Sequence, residues 1–325
     1  MKNITVVGGG TGTFVVLSGL KKYDFNLSAV VTSMDSGGST GKLRDQYGVL
    51  PPGDVRQCLV ALSEASELWT KTFLYRFEKG DFKGHNFGNI FLTALEQITA
   101  PDYQQVIDTA SYILQTKGKV IPVTFDRVHL CAEYEDGETL MTEDLIDSAF
   151  YKEDRIKKAF LKPAAKPNPN ALNAITSADY IIMGPGDMYT SIIPNLLVDG
   201  IKDAFVSTNA KIILNMNLMT KRGQTPNYSA SDHVIDLEKY LGRAIDVVII
   251  NNKKIAHEVE KYYEEYGEQE VENNLKHFDA HAIKVIEADV AADAAFKKSM
   301  ADVIVRSLQR HDPDKLAKVL LSVIQ

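Results

Sequence analysis

A loop rich in glycine and threonine follows the first apolar segment of the chain, at residues 8–13 (GGGTGT). Glycines here let the backbone turn tightly and approach a phosphate, and the next helix would offer unpaired N–H groups. The dinucleotide pattern GxGxxG is only partly met, because Thr13 stands at its third glycine. A tight turn without a ligand is the alternative. We predict phosphate binding, with no nucleotide identified, by Gly9, Gly10, Thr11, Gly12 and Thr13.

A second polar loop, residues 32–42 (TSMDSGGSTGK), follows the second apolar segment. It fails the Walker A pattern, which needs glycine at Ser36 and a hydroxyl residue at Leu43. It contains GxSxG at 37–41, but that elbow requires its serine directly after a strand. Asp35 stands near the expected position of a ribose-binding carboxylate. A flexible surface loop is the alternative to our prediction, an anion-binding loop of Asp35, Ser36, Gly37, Gly38, Ser39 and Thr40 in which Asp35 faces ribose, base or a metal.

Asp54 lies in the segment PPGDVRQ, residues 51–57, where two interpretations compete. Asp54 is a good helix N-cap, and Gln57 stands three residues later, as in a capping box. The two prolines before it also indicate a rigid, positioned entry to the helix. Asp54 is therefore a candidate for the site as well as for capping.

Another glycine turn, residues 184–187 (GPGD), follows the apolar segment 180–183. Gly184 and Gly186 are predicted to hold a second phosphate or a sugar. Asp187 argues against a phosphate there, because a carboxylate repels it unless a cation lies between them.

Amide and basic side chains complete the candidate site. Two apolar segments end in asparagine clusters, and all five end in polar, glycine or amide residues. Open α/β sheets bind ligands beyond the carboxyl ends of their strands. Amides read sugar or base edges, although they also cap and turn. His85 is predicted to be structural, and the pair His277 and His281 lacks a third zinc ligand, so no metal site is predicted. The added candidates are Asn86, Asn89, Asn215, Asn217, Asn251 and Arg310.

Short apolar segments alternate with helical patterns and predict how these loops are positioned. Segments 4–7, 27–32, 180–183, 212–214 and 247–250 are typical of buried parallel strands. Together they predict a doubly wound, Rossmann-like α/β fold with a mostly parallel sheet, organised as one large domain over residues 1–325. Strand patterns around the turn signal Asp136-Gly137 predict an antiparallel excursion near residues 118–150.

Composition narrows the class of protein. The 325 residues carry a net charge of -7 with a pI of about 5.6, which argues against a broad nucleic-acid surface. Two distant cysteines, no signal-peptide pattern and no apolar run of about 20 residues predict a cytoplasmic protein without membrane insertion.

Six sequence blocks occur in order along the chain: VVGGGTGT (6–13), TSMDSGGSTGKLR (32–44), LPPGDVRQCLVAL (50–62), GHNFGN (84–89), GPGDMYTSIIPNLLV (184–198) and RHD (310–312). Together they resemble the gluconeogenesis factor family, relatives of 2-phospho-L-lactate transferase. This resemblance implies a cytosolic, Rossmann-like bacterial protein linked to growth on gluconeogenic carbon sources, cell shape and cell-wall precursors. It also implies binding of UDP-sugars, notably UDP-N-acetylglucosamine, or of nicotinamide dinucleotides, and Asp35 matches an acceptor-contacting position of the transferases. Asp187 departs from the serine usual in the family loop.

Three functional hypotheses follow. The first is a regulatory protein that binds a UDP-sugar without turnover and signals to a partner protein in cell-wall regulation. The second is a Mg²⁺-dependent phosphotransferase in which Asp35 and Asp54 hold the metal or the acceptor hydroxyl. The third, an NAD(P)-dependent oxidoreductase, ranks last because no His or Lys is placed as its general acid. A homodimer is expected from the fold class alone.

Overall fold

The computed structural model describes residues 1–278, 280–293 and 308–324. Its strands are β1 (Asn3–Gly8), β2 (Asn26–Val31), β3 (Lys119–Pro122), β4 (His129–Tyr134), β5 (Thr139–Met141), β6 (Ile156–Lys162), β7 (Tyr180–Met183), β8 (Lys211–Asn215), β9 (Val247–Asn251) and β10 (Lys284–Ala288). Its helices are α1 (Gly10–Leu20), α2 (Gly38–Tyr47), α3 (Pro52–Leu62), α4 (Glu67–Leu74), α5 (Phe87–Thr99), α6 (Tyr103–Leu114), α7 (Glu143–Asp147), α8 (Pro169–Thr176), α9 (Ile193–Leu196), α10 (Ile201–Ser207), α11 (Ala230–Leu241), α12 (His257–Glu265) and α13 (Pro313–Ile324). A π-helical turn (Met188–Ile192) and a 3₁₀ turn (Leu275–His277) complete the description.

Seven parallel strands form the main sheet, in the order β10-β9-β8-β7-β1-β2-β3. From β1 the chain proceeds outward to β2 and β3, and it later returns beside β1 to build β7 to β10 on the other side. The predicted doubly wound α/β fold is therefore confirmed. Its topological switch point lies between β1 and β7. The turn that follows β1 and the turn that follows β7 are therefore neighbours.

Both faces of this sheet are covered, because successive side chains of a strand point to opposite faces. Val6 and Val7 of β1 accordingly belong to two separate hydrophobic clusters, and both are fully buried. Helices α1, α3, α6 and α13 pack in the cluster around Val6, and α8, α10 and α11 pack in the cluster around Val7. In the residues that the structure describes, no helix is both long and apolar enough to cross a bilayer.

The antiparallel excursion is confirmed, but its bounds differ from the predicted 118–150. Strands β5, β4 and β6 form a separate sheet between residues 129 and 162, with the hairpin turn at Asp136-Gly137. The segment Lys119–Pro122 lies outside it, because it pairs in parallel with β2 at the edge of the main sheet. A short apolar run carries no local information on its pairing partner, so the sequence pattern did not separate β3 from the hairpin that follows.

Candidate functional site

A cleft opens at the carboxyl ends of the parallel strands, across the switch point. It encloses about 1540 Å³ of empty space, which includes the part open to solvent. Its walls come from loops that follow β1, β2, β7 and β8, from the start of α3, and from α7 of the antiparallel excursion. The cleft therefore lies where ligands bind in doubly wound α/β proteins.

Two glycine turns meet at the floor of the cleft. Gly12 in α1 lies so close to the turn after β7 that an added Cβ atom would be 1.6 Å from the carbonyl oxygen of Pro185. Gly184 adopts φ +69°, a left-handed conformation that favours glycine. Asn215 Nδ2 donates to the Gly184 carbonyl at 3.0 Å, and Asn217 Oδ1 accepts from the Gly186 amide at 3.1 Å. The amides predicted to read a ligand thus also hold this turn in place.

Helix α1 begins at Gly10, and its N-cap, Gly9, provides no side-chain cap. The first N–H groups of a helix have no acceptor within the helix, so they can bind an anion at this edge of the sheet. Thr11 Oγ1 donates to Gln57 Oε1 at 3.2 Å, and an added Cβ atom at Gly10 would lie 2.5 Å from Asp54 Oδ1. The glycine turn and the start of α3 therefore form one continuous surface.

Asp54 is not a helix N-cap, so that interpretation of the sequence was wrong. Helix α3 begins at Pro52 with Pro51 as its N-cap, which places Asp54 in the first helical turn. Proline is favoured at the first helical position because it has no N–H to satisfy there, and the PP pair therefore starts the helix earlier than Asp54. The Asp54 carboxylate lines the cleft instead.

The loop after β2 brings Asp35 and two hydroxyl groups to the same wall. Asp35 Oδ1 accepts from the Gly37 amide at 2.9 Å, and helix α2 begins at the next residue, Gly38. An added Cβ atom at Gly53 would lie 2.5 Å from both Asp35 Oδ2 and Thr40 Oγ1. Asp35, Thr40 and the start of α3 are consequently packed together around Gly53.

A network of polar side chains extends from this wall into α5. Asn86 is the N-cap of α5, and its Oδ1 accepts from the Asn89 backbone amide at 3.3 Å. Asn89 Oδ1 accepts from Arg56 Nε at 2.7 Å, and its Nδ2 donates to Ser39 Oγ at 3.4 Å. Ser39 Oγ lies 3.2 Å from His85 Nδ1. His85 thus has a structural partner within the site.

The opposite wall of the cleft is acidic and surrounds one lysine. Lys221 Nζ lies 3.1 Å from Asp147 Oδ1 and 3.4 Å from Asp187 Oδ2. Burial opposes a charged lysine, but the carboxylates of Asp187 and Asp147 prevail and raise the pKa of Lys221. Lys221 is therefore a cation that offsets the negative charge of Asp187.

Burial and mutual repulsion raise the pKa values of carboxyl groups in this acidic wall. Burial raises the pKa of Glu268 to about 7, although the positive charge of Lys221 opposes this effect. Burial, and then the negative charges of Asp35 and Asp147, raise the pKa of Glu143 well above its usual range. Carboxyl groups that repel one another in a confined cleft cannot all be ionised together, so the wall retains protons near neutral pH.

The Glu268 shift predicts a pH-dependent stability. Because the folded-state pKa of about 7 exceeds the usual 4.5, the folded protein keeps a proton that the unfolded chain releases between these values. The free energy of unfolding should therefore fall as the pH rises from about 4.5 to about 7, by up to about 3 kcal/mol. Glu268→Gln should remove this part of the fall in urea denaturation at several pH values. Glu265→Gln, at an exposed position on α12, should keep it, and an unchanged profile in Glu268→Gln would contradict the assignment.

The structure brings twelve of the residues predicted from sequence to the cleft lining and leaves eight outside it. Those that line the cleft are Gly10, Thr11, Gly12, Asp35, Gly37, Ser39, Thr40, Asp54, Asn89, Gly186, Asn217 and Arg310. Those outside it are Gly9, Thr13, Ser36, Gly38, Asn86, Gly184, Asn215 and Asn251.

The residues outside the lining support the turns around it. Thr13 is buried beneath Gly8, where an added Cβ atom would lie 2.8 Å from its hydroxyl. Ser36 attaches α7, because its amide donates to Glu143 Oε2 at 3.1 Å and its hydroxyl accepts from the Asp144 amide at 2.8 Å. Asn251 stabilises the end of its own strand, β9, because its Nδ2 donates to the Lys253 carbonyl at 2.6 Å.

The acidic wall and two arginines that line the cleft, Arg56 and Arg76, were not identified from the sequence. Glu143, Asp147, Lys221 and Glu268 lie in segments with no motif, and tertiary packing alone brings them together. Arg56 had a signal, since it stands two residues after Asp54 in the block LPPGDVRQCLVAL. No group of three His, Cys, Asp or Glu side chains suited to a metal occurs in the described part of the chain.

The parallel sheet, the switch-point cleft and its glycine turns define a doubly wound α/β protein of the Rossmann-like class. Within that class, the family model described as 2-phospho-L-lactate transferase CofD matches residues 4–291. The chain belongs to this family, and the relatives that follow place it with the gluconeogenesis factors.

Two curated relatives are similar over nearly their full length. The gluconeogenesis factor of Bacillus subtilis is 38% identical, over 99% of this chain and 98% of its own. The gluconeogenesis factor of Halalkalibacterium halodurans is also 38% identical, over 98% of this chain and 96% of its own. A crystal structure of a UPF0052 family protein from Bacillus halodurans matches with a TM-score of 0.89 and 35% identity, covering 99% of this chain and 100% of that one.

Proposed function

We propose that this protein binds a nucleotide sugar of the UDP-N-acetylglucosamine type and acts as a cytoplasmic regulatory protein. In this proposal it serves growth on gluconeogenic carbon sources and the control of cell shape and cell-wall precursors. The regulatory output is a changed contact with a partner protein, with the chain itself as a homodimer. The name gluconeogenesis factor, carried by relatives 37–38% identical to this chain, supports the physiological part.

The meeting of two glycine turns at the switch point supports the nucleotide part. The start of α1 and the turn containing Gly186 face the same cleft from adjacent strands. A diphosphate placed there receives backbone N–H groups and the positive end of the α1 dipole. Thr11, Gln57 and Asn217 offer hydroxyl and amide groups for the sugars, and Arg310 adds positive charge to the lining.

Calorimetric titration with UDP-N-acetylglucosamine, with and without Mg²⁺, tests this proposal. We expect saturable binding that does not require the metal, and mass spectrometry of the mixture should find the ligand intact. Absence of binding would refute the proposed ligand. Conversion of the ligand only in the presence of Mg²⁺ would instead support catalysis.

A second candidate, a Mg²⁺-dependent phosphotransferase, is favoured by the carboxylates that face the cleft. Asp35 and Asp54 offer the hard oxygen ligands that Mg²⁺ prefers, and Mg²⁺ commonly takes one or two carboxylates plus substrate phosphates. These residues fit a Mg²⁺ ion that is held jointly with the phosphates of a ligand. The metal would then offset charge on the transferred group.

Asp35→Asn separates the two candidates. A phosphotransferase should lose most of its turnover while nucleotide binding is retained, because the nucleotide is held mainly by the glycine turns. A binding protein should show no product with either the wild type or the variant. A product that Asp35→Asn forms at the wild-type rate would exclude a catalytic role for Asp35.

A further inference from the structure

A basic and polar group occupies the side of the cleft formed by α2, α3 and α5. Arg56 is only 6% exposed, and its Nε donates to Asn89 Oδ1 at 2.7 Å. The side-chain nitrogen of Asn89, Nδ2, lies 3.4 Å from the hydroxyl oxygens of both Ser39 and Thr40. These contacts fix the orientation of a buried guanidinium and two hydroxyl groups that line the cleft.

Positive charge is concentrated around this group. Arg76 also lines the cleft, and its Nη1 donates to the Gly84 carbonyl at 2.7 Å, which positions its side chain beside His85. Burial, and then the positive charges of Lys42 and Arg76, lower the pKa of His85. Guanidinium and hydroxyl donors that converge in this way are the groups that recognise a carboxylate or a phosphate.

Two carboxylates, Asp54 and Asp35, line the same cleft near the glycine turns and near this group. Asp54 packs against Gly10 of the α1 turn, where an added Cβ atom would lie 2.5 Å from its Oδ1. Asp35 packs against Gly53, beside the hydroxyl of Thr40. When no cation is bound, these two carboxylates repel a diphosphate that extends from the glycine turns toward Arg56. An anion near Arg56 is then expected to be a different group from the diphosphate at the glycine turns.

We infer that Arg56, Arg76, Ser39, Thr40 and Asn89 form a second anion-binding subsite, which takes the carboxylate or phosphate group of a small molecule. The inference rests on the proposed function only in assigning the nucleotide diphosphate to the glycine turns. The anion has two sources, the far end of an acidic nucleotide sugar or a separate small anion. In both cases Asp35 lies beside the bound group, where its carboxylate accepts a hydrogen bond from a neighbouring hydroxyl of the ligand.

Inorganic phosphate is the probe for this subsite. With the protein saturated by UDP-N-acetylglucosamine, phosphate should still bind, as measured by calorimetry at pH 7. Arg76→Gln should weaken this phosphate binding about tenfold or more and change the affinity for UDP-N-acetylglucosamine less than twofold. Arg44→Gln, on the last turn of α2 and outside the cleft lining, is the matched control and should change neither affinity.

A second variant tests the buried arginine without removing its charge. Arg56→Lys should also weaken phosphate binding, because lysine lacks the planar fork that Arg56 presents. Circular dichroism and thermal unfolding establish that the variant is folded. Equal phosphate affinities in Arg76→Gln, Arg56→Lys and Arg44→Gln would overturn the inference.

Acidic and neutral nucleotide sugars distinguish the two sources of the anion. Displacement of phosphate by UDP-glucuronate but not by UDP-N-acetylglucosamine assigns the subsite to the sugar end of one ligand. Phosphate that stays bound with either nucleotide sugar assigns it to a separate small anion. If UDP-N-acetylglucosamine does not bind, the proposed function fails, whereas phosphate titration of the free variants still decides whether the subsite exists.

Discussion

Gly12→Ala should destabilise the protein by about 2–4 kcal/mol and weaken nucleotide binding more than 100-fold. The added Cβ atom would lie 1.6 Å from the Pro185 carbonyl oxygen, so the two glycine turns must separate. Alanine is otherwise favoured over glycine within a helix by about 1 kcal/mol. A decrease in the free energy of unfolding would therefore come from the steric clash with Pro185. Urea denaturation and calorimetric titration with UDP-N-acetylglucosamine measure the two effects.

Gly80→Ala is the control for this substitution. An added Cβ atom at Gly80 meets nothing within 4 Å, but the residue has φ +74°. The expected cost is about 1–2 kcal/mol, from the left-handed backbone alone, with no change in binding. Wild-type stability and affinity in Gly12→Ala would show that the two turns are not in contact.

Lys221→Met should destabilise the protein by about 3 kcal/mol at pH 8. The substitution leaves Asp147 and Asp187 close together in the acidic wall without the ammonium group between them. Removal of one partner from a buried ion pair is costly because the remaining charge is desolvated and unpaired. The loss should be smaller at pH 5, because burial raises the pKa of Asp147 and its protonation there relieves the repulsion. Urea denaturation at both pH values measures the difference.

Two further variants test the origin of that loss. Lys253→Met removes a more exposed lysine that pairs with Asp293, and it should cost less than about 1 kcal/mol. In an Asp147→Asn background, Lys221→Met should cost clearly less than in the wild type, because one of the two repelling charges has already gone. Additive losses in the double variant would contradict the proposed ion-pair network.

The parallel sheet and its glycine turns could be predicted from sequence because their signals are local. The segment 180–183 is buried on both faces and coincides with β7, and the glycines at 8–12 stand where the chain passes from β1 into α1. A turn whose backbone requires glycine can be recognised from a single glycine position in the sequence.

The acidic wall could not be predicted, because its members are distant in sequence. Asp147 and Lys221 are brought together by the packing of the excursion against the loop after β8, and neither segment carries a recognisable spacing. The true start of α3 was misjudged for a different reason. Both Pro52 and Asp54 are favourable near a helix start, and local preferences alone do not decide which residue begins the helix.

The position of α7 has a consequence for how the cleft takes up its ligand. Helix α7 is bonded to Ser36, in the half of the sheet that contains β2, and through Asp147 to Lys221, in the half that contains β8. Helix α7 therefore connects the two halves of the sheet across the switch point, and these contacts oppose a hinge motion between the halves. We therefore expect a preorganised cleft, in which little conformational entropy is lost on association and selectivity is set mainly by charge and shape.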